Sequence, residues 1–350
     1  MGSYVLHLML GLVTKNSARS LFCAVLSLWL IGSAIHAGAQ QKEPAKISVL
    51  VATGMPGSTY YQVGLGMASL WTTKLREMGI RVSAAISEGS LENIEAIRIA
   101  DADLILVEDF FSSLAYKGAG MYRGRALPEL RSITTLWPDM LHVLIRADKV
   151  RTGNLQDLEG LAIATELPDS GNKLLTEMLL KAVNSGKRKV RLRPMSNMAA
   201  ADSLRKGLVH GIDVIGGIPI PLVANLFSDG KPPLALLDIT DAQMESAHQE
   251  FGKHLFRRTI PTGTYTGQDK PVHTVGQMNV LAVTASLDEE VVYVLMKTLY
   301  ENLDYMAKVH PACRSLILEK ALDGLSIPLH EGAIRYYQER KIPVPENLIQ

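Results

Sequence analysis

From residue 47 onward, short apolar runs rich in β-branched residues alternate with longer stretches in which apolar residues recur every three or four positions. Residues 47–51 read as a strand, Val63, Met67, Leu70, Trp71, Leu75 and Met78 fall at helical spacing across residues 60–78, and residues 81–86 read as the next strand. The grammar continues with a helix over 91–99 capped by Ser90, a strand over 103–107, and another over 142–146 after the glycine-rich stretch 118–124. A second round has strands over 161–165, 190–193 and 212–215, with helices over 173–184 and 198–206. A strand over 277–283 carries the chain back, and helices over 288–307, 312–322 and 332–340 follow. This βαβ alternation predicts an α/β fold of two lobes with parallel-rich sheets and a ligand cleft between the lobes, at the carboxyl ends of the strands. Residues 40–141 and 281–350 are assigned to lobe 1 and residues 142–280 to lobe 2.

The first 39 residues stand apart from that pattern. Lys15 and Arg19 precede the apolar run 21–31, and Ala37-Gly38-Ala39 supplies small residues for cleavage, so residues 1–39 are expected to be an export signal and the mature chain to start near Gln40. The alternative is an uncleaved anchor, although Gly32, Ser33, His36 and Gly38 dilute the run. Phe22 stands where a lipoprotein signal needs a small residue, which argues against lipid attachment at Cys23. Cys313 is then the only cysteine beyond the signal, and no internal disulfide is expected.

Candidate chemistry lies at the junctions between strands and helices. Gly54, Gly57, Ser58, Thr59 and Tyr60 follow the first strand, and Glu88, Gly89, Ser90 and Asn93 follow the second. At a helix start the first backbone N–H groups lack partners and the dipole adds partial positive charge, so these junctions favour a small anion or carboxylate. Ser58, Thr59 and Ser90 are either ligand contacts or ordinary N-caps; Tyr60 either lines the cleft or packs in the core; Asn93 either bonds the ligand or belongs to its first turn. Ser170 and Gly171 form the corresponding turn in the second half. Tyr265, in the loop 259–267, suits a lid contact or a structural hydrogen bond. Arg146 is a possible carboxylate clamp, with a surface or interlobe partner as the plainer reading.

Composition removes several function classes. Apolar residues make up 47% of the 350 positions, enough for a sizeable core. Beyond residue 39 there are 34 basic and 35 acidic residues with no basic stripe, so a nucleic-acid partner is not expected. The seven histidines beyond the signal lack metal-ligand spacing, Gly64-Leu65-Gly66 sits inside a helix rather than at a dinucleotide turn, and no hydrolase or P-loop motif occurs. No cofactor, metal or enzymatic activity is expected, the remote alternative being a hydrolase built on Cys313 and His310.

Five strings in order carry a resemblance: Gly54 and Gly57 to Gly64; Glu88-Gly89-Ser90 with Glu92-Asn93; Asp103 to Glu108-Asp109; Ile260-Pro261 with Gly263-Thr264-Tyr265 and Gly267; and Pro328-Leu329-His330 with Gly332 to Tyr337 and Glu339. Across about residues 47–340 the chain resembles the TAXI-type solute-binding subunits of tripartite ATP-independent periplasmic (TRAP) transporters. The resemblance implies a type II-like periplasmic binding protein that closes on a small solute, commonly glutamate, 2-oxoglutarate or a related carboxylate, and hands it to membrane subunits. A ligand-dependent sensor of a membrane receptor is the alternative use of such a binder. Two departures bear on the ligand: Asp169-Ser170-Gly171-Asn172 stands where members often have Gly-Ser-Gly-Thr, and Glu108 where many have Gln. Each adds an acid near the expected cleft, so a ligand with fewer negative charges than usual, or with a cationic group, is expected unless these side chains face solvent.

Overall fold

Two long strands organise the molecule, Leu130–Arg146 (β4) and Val272–Thr284 (β10), and they run antiparallel through the middle of one ten-stranded sheet. The computed structural model describes residues 47–168, 170–183, 189–251 and 254–349, all within one compact unit. The export signal expected over residues 1–39 and Asp169 lie outside the described residues.

On one side of the long pair lie Ile47–Ala52 (β1), Ile80–Ala85 (β2) and Leu104–Glu108 (β3), with β1 parallel to both neighbours. On the other lie Ala162–Thr165 (β5), Arg191–Pro194 (β6) and Gly211–Gly216 (β7), with β5 parallel to both. The spatial order is β2-β1-β3-β10-β4-β7-β5-β6, with Leu234–Leu236 (β8) added on β4 and Phe256–Ile260 (β9) on β10. The predicted α/β class is the one observed, with its two parallel sets continuous through antiparallel β4 and β10. The predicted lobe boundaries at 142 and 280 fall inside these strands.

The helices occupy the places their spacing indicates. Thr59–Lys74 (α1) buries Val63, Met67, Leu70 and Trp71, while Met78 lies beyond it in a 3₁₀ turn and is half exposed. Gly64 sits where a Cβ would come within 2.2 Å of the Thr53 methyl, so only glycine lets α1 lie this close to β1. Ser90–Arg98 (α2), Asp109–Lys117 (α3), Gly171–Val183 (α4), Asn197–Arg205 (α5), Pro221–Asp229 (α6) and Asp241–Phe251 (α7) follow in order. Glu289–Tyr300 (α8), Leu303–Val309 (α9) and Glu331–Glu339 (α10) then pack on the first set.

Four expectations need correction. The single helix expected over 288–307 is two, α8 and α9, separated by a turn at Glu301 and Asn302. The helix expected over 312–322 is two 3₁₀ turns, Pro311–Ser315 and Leu318–Lys320, separated by extended backbone at Leu316 and Ile317. The strand expected at 142–146 is the last part of β4: Pro138 and the polar Thr134, Thr135 and Asp139 break the apolar signal, and Pro138 is accommodated beside a register shift against β10. Ser90 does not cap α2. Gly89 holds that position at φ 122°, and the buried Ser90 hydroxyl accepts the Glu108 N–H at 3.1 Å, joining α2 to the end of β3.

Candidate functional site

Six strand ends converge on one pocket. The segments after β1 and β2 supply Gly54, Met55, Ser58, Thr59 and Tyr60, and Glu88 to Ser90, and the end of β3 supplies Glu108; the segments after β5 and β6 supply Glu166, Leu167, Ser170, Gly171 and Asn172, and Met195 to Asn197, and the end of β7 supplies Gly216. Asp139 enters from the middle of β4. The empty space between these walls is about 570 Å³, open solvent at the mouth included. Carboxyl ends of strands are the part of an open α/β sheet where connecting loops leave a crevice, and the sequence pointed there.

Of the expected site residues, Ser58, Thr59, Tyr60, Ser90, Glu108, Ser170 and Gly171 line this pocket, and Gly57, Asn93 and Tyr265 do not. Ser58 is an N-cap as well, accepting the Tyr61 N–H at 3.2 Å. Thr59 donates to the Gly217 carbonyl at 3.4 Å, and the buried Tyr60 hydroxyl donates to Asn279 Oδ1 at 2.5 Å, so α1 is tied both to the end of β7 and to β10. Gly57 supplies the turn, at φ 90°. Asn93 is buried beneath the pocket, donating to the carbonyls of Thr53 and Leu106 at 2.8 Å each, which clamps β1 to β3. Arg146 pairs with Asp148 at 2.9 Å and does not enter the pocket.

Tyr265 is buried in a separate apolar cluster with Phe227 stacked on it. Its hydroxyl accepts the Ile220 N–H at 3.0 Å and lies 2.8 Å from His142 Nε2; burial lowers the His142 pKa to about 4, so the ring is neutral and accepts from the phenol. Tyr265→Phe is therefore expected to cost stability, roughly 1–3 kcal/mol for an orphaned buried N–H, with ligand affinity unchanged. Denaturant titration beside ligand titration checks this; lost affinity at unchanged stability would return Tyr265 to the site.

The electrostatics are set by burial. Glu108 is 3% exposed, and Oε2 has no hydrogen-bond partner among the described residues. Burial first, then the charges of Asp139 and Glu166, raise its pKa well above the ordinary carboxylate range. Asp139 accepts the Trp137 Nε1–H at 2.7 Å, yet burial still pushes it up to about 7. Glu166 is raised by burial while Ser170 Oγ, at 2.5 Å, and Asn172 Nδ2, at 3.0 Å, donate to its Oε2 and oppose the shift. Tyr60 is also raised, first by burial and then by Glu108 and Asp139. No Lys, Arg or His is found among the described lining residues.

The pocket residues that sequence reasoning missed include Asp139, Glu166, Asn172, Met195, Ser196 and Asn197. Glu166 had a signal: it follows a predicted strand directly, as Glu108 does. Asp139 had none, because its strand was not recognised at that position.

Catalysis has little to work with at the alternative pair. Cys313 is buried and its thiol pushed up to about 12, and His310 Nδ1 accepts the Ala312 N–H at 3.1 Å instead of facing the sulfur. Among the described residues no group of three His, Cys, Asp or Glu side chains is placed to hold a metal ion, and no helix is long and apolar enough to cross a membrane.

A mixed α/β sheet with a polar cleft at its strand ends defines the class, a scaffold suited to holding a small ligand between loops. The NMT1-like family matches residues 51–340, and the chain belongs to that family. In fold it is similar to the malate-bound MatC protein of Rhodopseudomonas palustris, at 15% identity over 77% of this chain and 89% of the other, TM-score 0.49. It is also similar to the alkanesulfonate-binding protein SsuA of Xanthomonas axonopodis pv. citri bound to MOPS, at 13% identity over 86% and 81%, TM-score 0.42. An ancestral arginine-binding protein bound to arginine matches at 10% identity over 75% and 96%, TM-score 0.46. At such identities and scores no ligand is transferred from these proteins.

Proposed function

We propose that the chain is an exported solute-binding protein that captures a small organic solute in this pocket by hinge closure and delivers it to the membrane subunits of a TRAP transporter. The observation that carries the reading is the make-up of the pocket: both parallel strand sets contribute their carboxyl-end loops to one polar space. Such a site suits a binder, because most of its hydroxyls and amides are already held by neighbours: Ser58 caps α1, Thr59 donates to Gly217, and Ser170 and Asn172 donate to Glu166.

We assign residues 40–141 and 281–350 to one lobe and 142–280 to the other, with β4 and β10 as the connecting strands. Rotation about those strands would open the pocket by releasing Thr59 from Gly217, a long bond at 3.4 Å, and His254 from Asp109, at 2.8 Å. Delivery to TRAP subunits and export by residues 1–39 rest on the resemblance of the sequence strings. Small-angle scattering on the purified protein, refolded to strip carried-over solute, is expected to show a smaller radius of gyration with a ligand found by thermal shift. A ligand that raises the melting temperature without changing the scattering would remove hinge closure from the reading.

A further inference from the structure

We propose that the pocket selects a small organic cation, an ammonium or guanidinium compound with no net negative charge, and that Glu108 is its counter-ion. The inference rests on the solute-binding reading and names the ligand class for that site.

The argument starts with where the protein's own carboxylates sit. A helix N-terminus attracts negative charge, and on sequence grounds the starts of α1, α2 and α4 invited a ligand carboxylate. Two of the three already have the protein's own carboxylates beside them. Glu92 Oε2 accepts the Glu88 N–H at 2.6 Å at the start of α2. At α4, Glu166 accepts from Ser170 and Asn172, and Glu108 Oε2 lies 2.9 Å from where a Cβ on Gly171 would stand. Two carboxylates therefore face the first turn of α4 from opposite sides of the pocket, and a third carboxylate from a ligand would meet them without a cation among the described lining residues to offset it.

Glu108 then lacks what Glu166 has. Its Oε2 is buried and unpartnered, and the groups facing it are Asp139 from β4, Glu166 beyond β5 and the Tyr60 phenol from α1, with the Ser90 hydroxyl engaged by the Glu108 main chain. None is a cation. A buried carboxylate in such surroundings is costly unless a positive partner arrives, and a cationic solute supplies one. The hydroxyls of Ser58 and Thr59 at the third helix start remain to orient the rest of the solute.

The charge of the ligand fixes the sign of its proton linkage. A cation favours the ionised acids, so binding releases protons and tightens as pH rises from about 6 to about 8, across the value of about 7 at which Asp139 titrates; a dicarboxylate requires protonated acids, takes protons up and weakens over that range. The test is thermal shift and calorimetric titration of the refolded protein with arginine, putrescine and choline against glutamate, 2-oxoglutarate and malate, at both pH values and in two buffers of different ionisation enthalpy. A rise with at least one cation, proton release on binding, and a loss of roughly tenfold or more in affinity in Glu108→Gln, folded by circular dichroism, are the expected results. Binding of a dicarboxylate with proton uptake, or cation affinity unchanged in Glu108→Gln, would overturn the cation assignment and leave the binding-protein reading in place. Failure of both compound sets, with no change in scattering, would overturn both.

Discussion

Asp139→Asn is expected to make the ligand-free protein more stable, by an amount that grows with pH, and to weaken its hold on a cationic solute. Asp139 is almost fully buried, and its carboxyl is held at about 7 against an ordinary 3.8. In the acid range folded and unfolded chains are both protonated there and the substitution changes little. As pH rises from 3.8 the unfolded chain loses the proton while the fold keeps it, so stability drains away until about 7 and is flat above that. Asparagine removes that loss and still offers its carbonyl to Trp137 Nε1. The interval corresponds to an upper limit of roughly 4 kcal/mol, reduced wherever water or relaxation reaches the charge. Glu108, Glu166 and Tyr60 face the same space, and Glu108 also gains by losing a neighbouring charge. His142 shifts in the opposite direction, but it is common to both proteins and cancels in the difference. Urea titrations of the two proteins from about pH 4 to about pH 8 should show curves that diverge until about 7 and then run parallel. A constant offset would mean that no buried charge is involved. Stability gained where affinity is lost is what a carboxylate retained for binding rather than for folding produces.

The sequence made the frame legible because the frame depends on periodicity. The apolar positions of α1 are also its buried positions, and the parallel sets β2-β1-β3 and β7-β5-β6 follow from short apolar runs separated by helices. Strand ends could be located, and with them Ser58, Thr59, Ser90, Glu108 and Ser170. What periodicity could not convey is which side chains a third element takes away from the pocket. Asn93 stands one turn into α2, where a ligand contact is plausible, yet its amide is used by two carbonyls at strand ends 13 and 40 residues away. Tyr265 is held by Ile220 and His142, an association set by the start of α6 and by β4 rather than by its own loop. The charge of the pocket was partly visible in Glu108. Its full extent needed Asp139 and Glu166, brought together from strands whose pairing no local pattern specifies.

Trp137 is where the wall of the pocket and the middle of the sheet meet, and Trp137→Ala is expected to cost about 3–5 kcal/mol. The ring is 0% exposed, sits edge-on to Tyr60 with centroids 6.0 Å apart, and packs so closely on Gly217 that a Cβ there would come within 2.7 Å of Cδ1. Its carbonyl accepts Asn279 Nδ2 at 3.0 Å, and Asn279 in turn receives the Tyr60 hydroxyl. Removing the indole leaves a cavity beside Tyr60 and takes the Nε1–H from Asp139. Trp137→Phe separates the two effects, since it retains most of the ring volume and loses only the donor. That donor favours ionised Asp139, so its loss raises the carboxyl further, and the penalty in Trp137→Phe should be small near pH 4 (about where the free carboxyl titrates) and larger above neutrality. In Trp137→Ala the cavity cost is present at every pH and the lost donor adds to it as pH rises. Measured by urea titration at both ends of that range, equal losses for the phenylalanine variant at low and high pH would show that the indole acts on packing alone. The divergent result would place Asp139, and with it the charge of the pocket, under the control of a residue that touches no ligand.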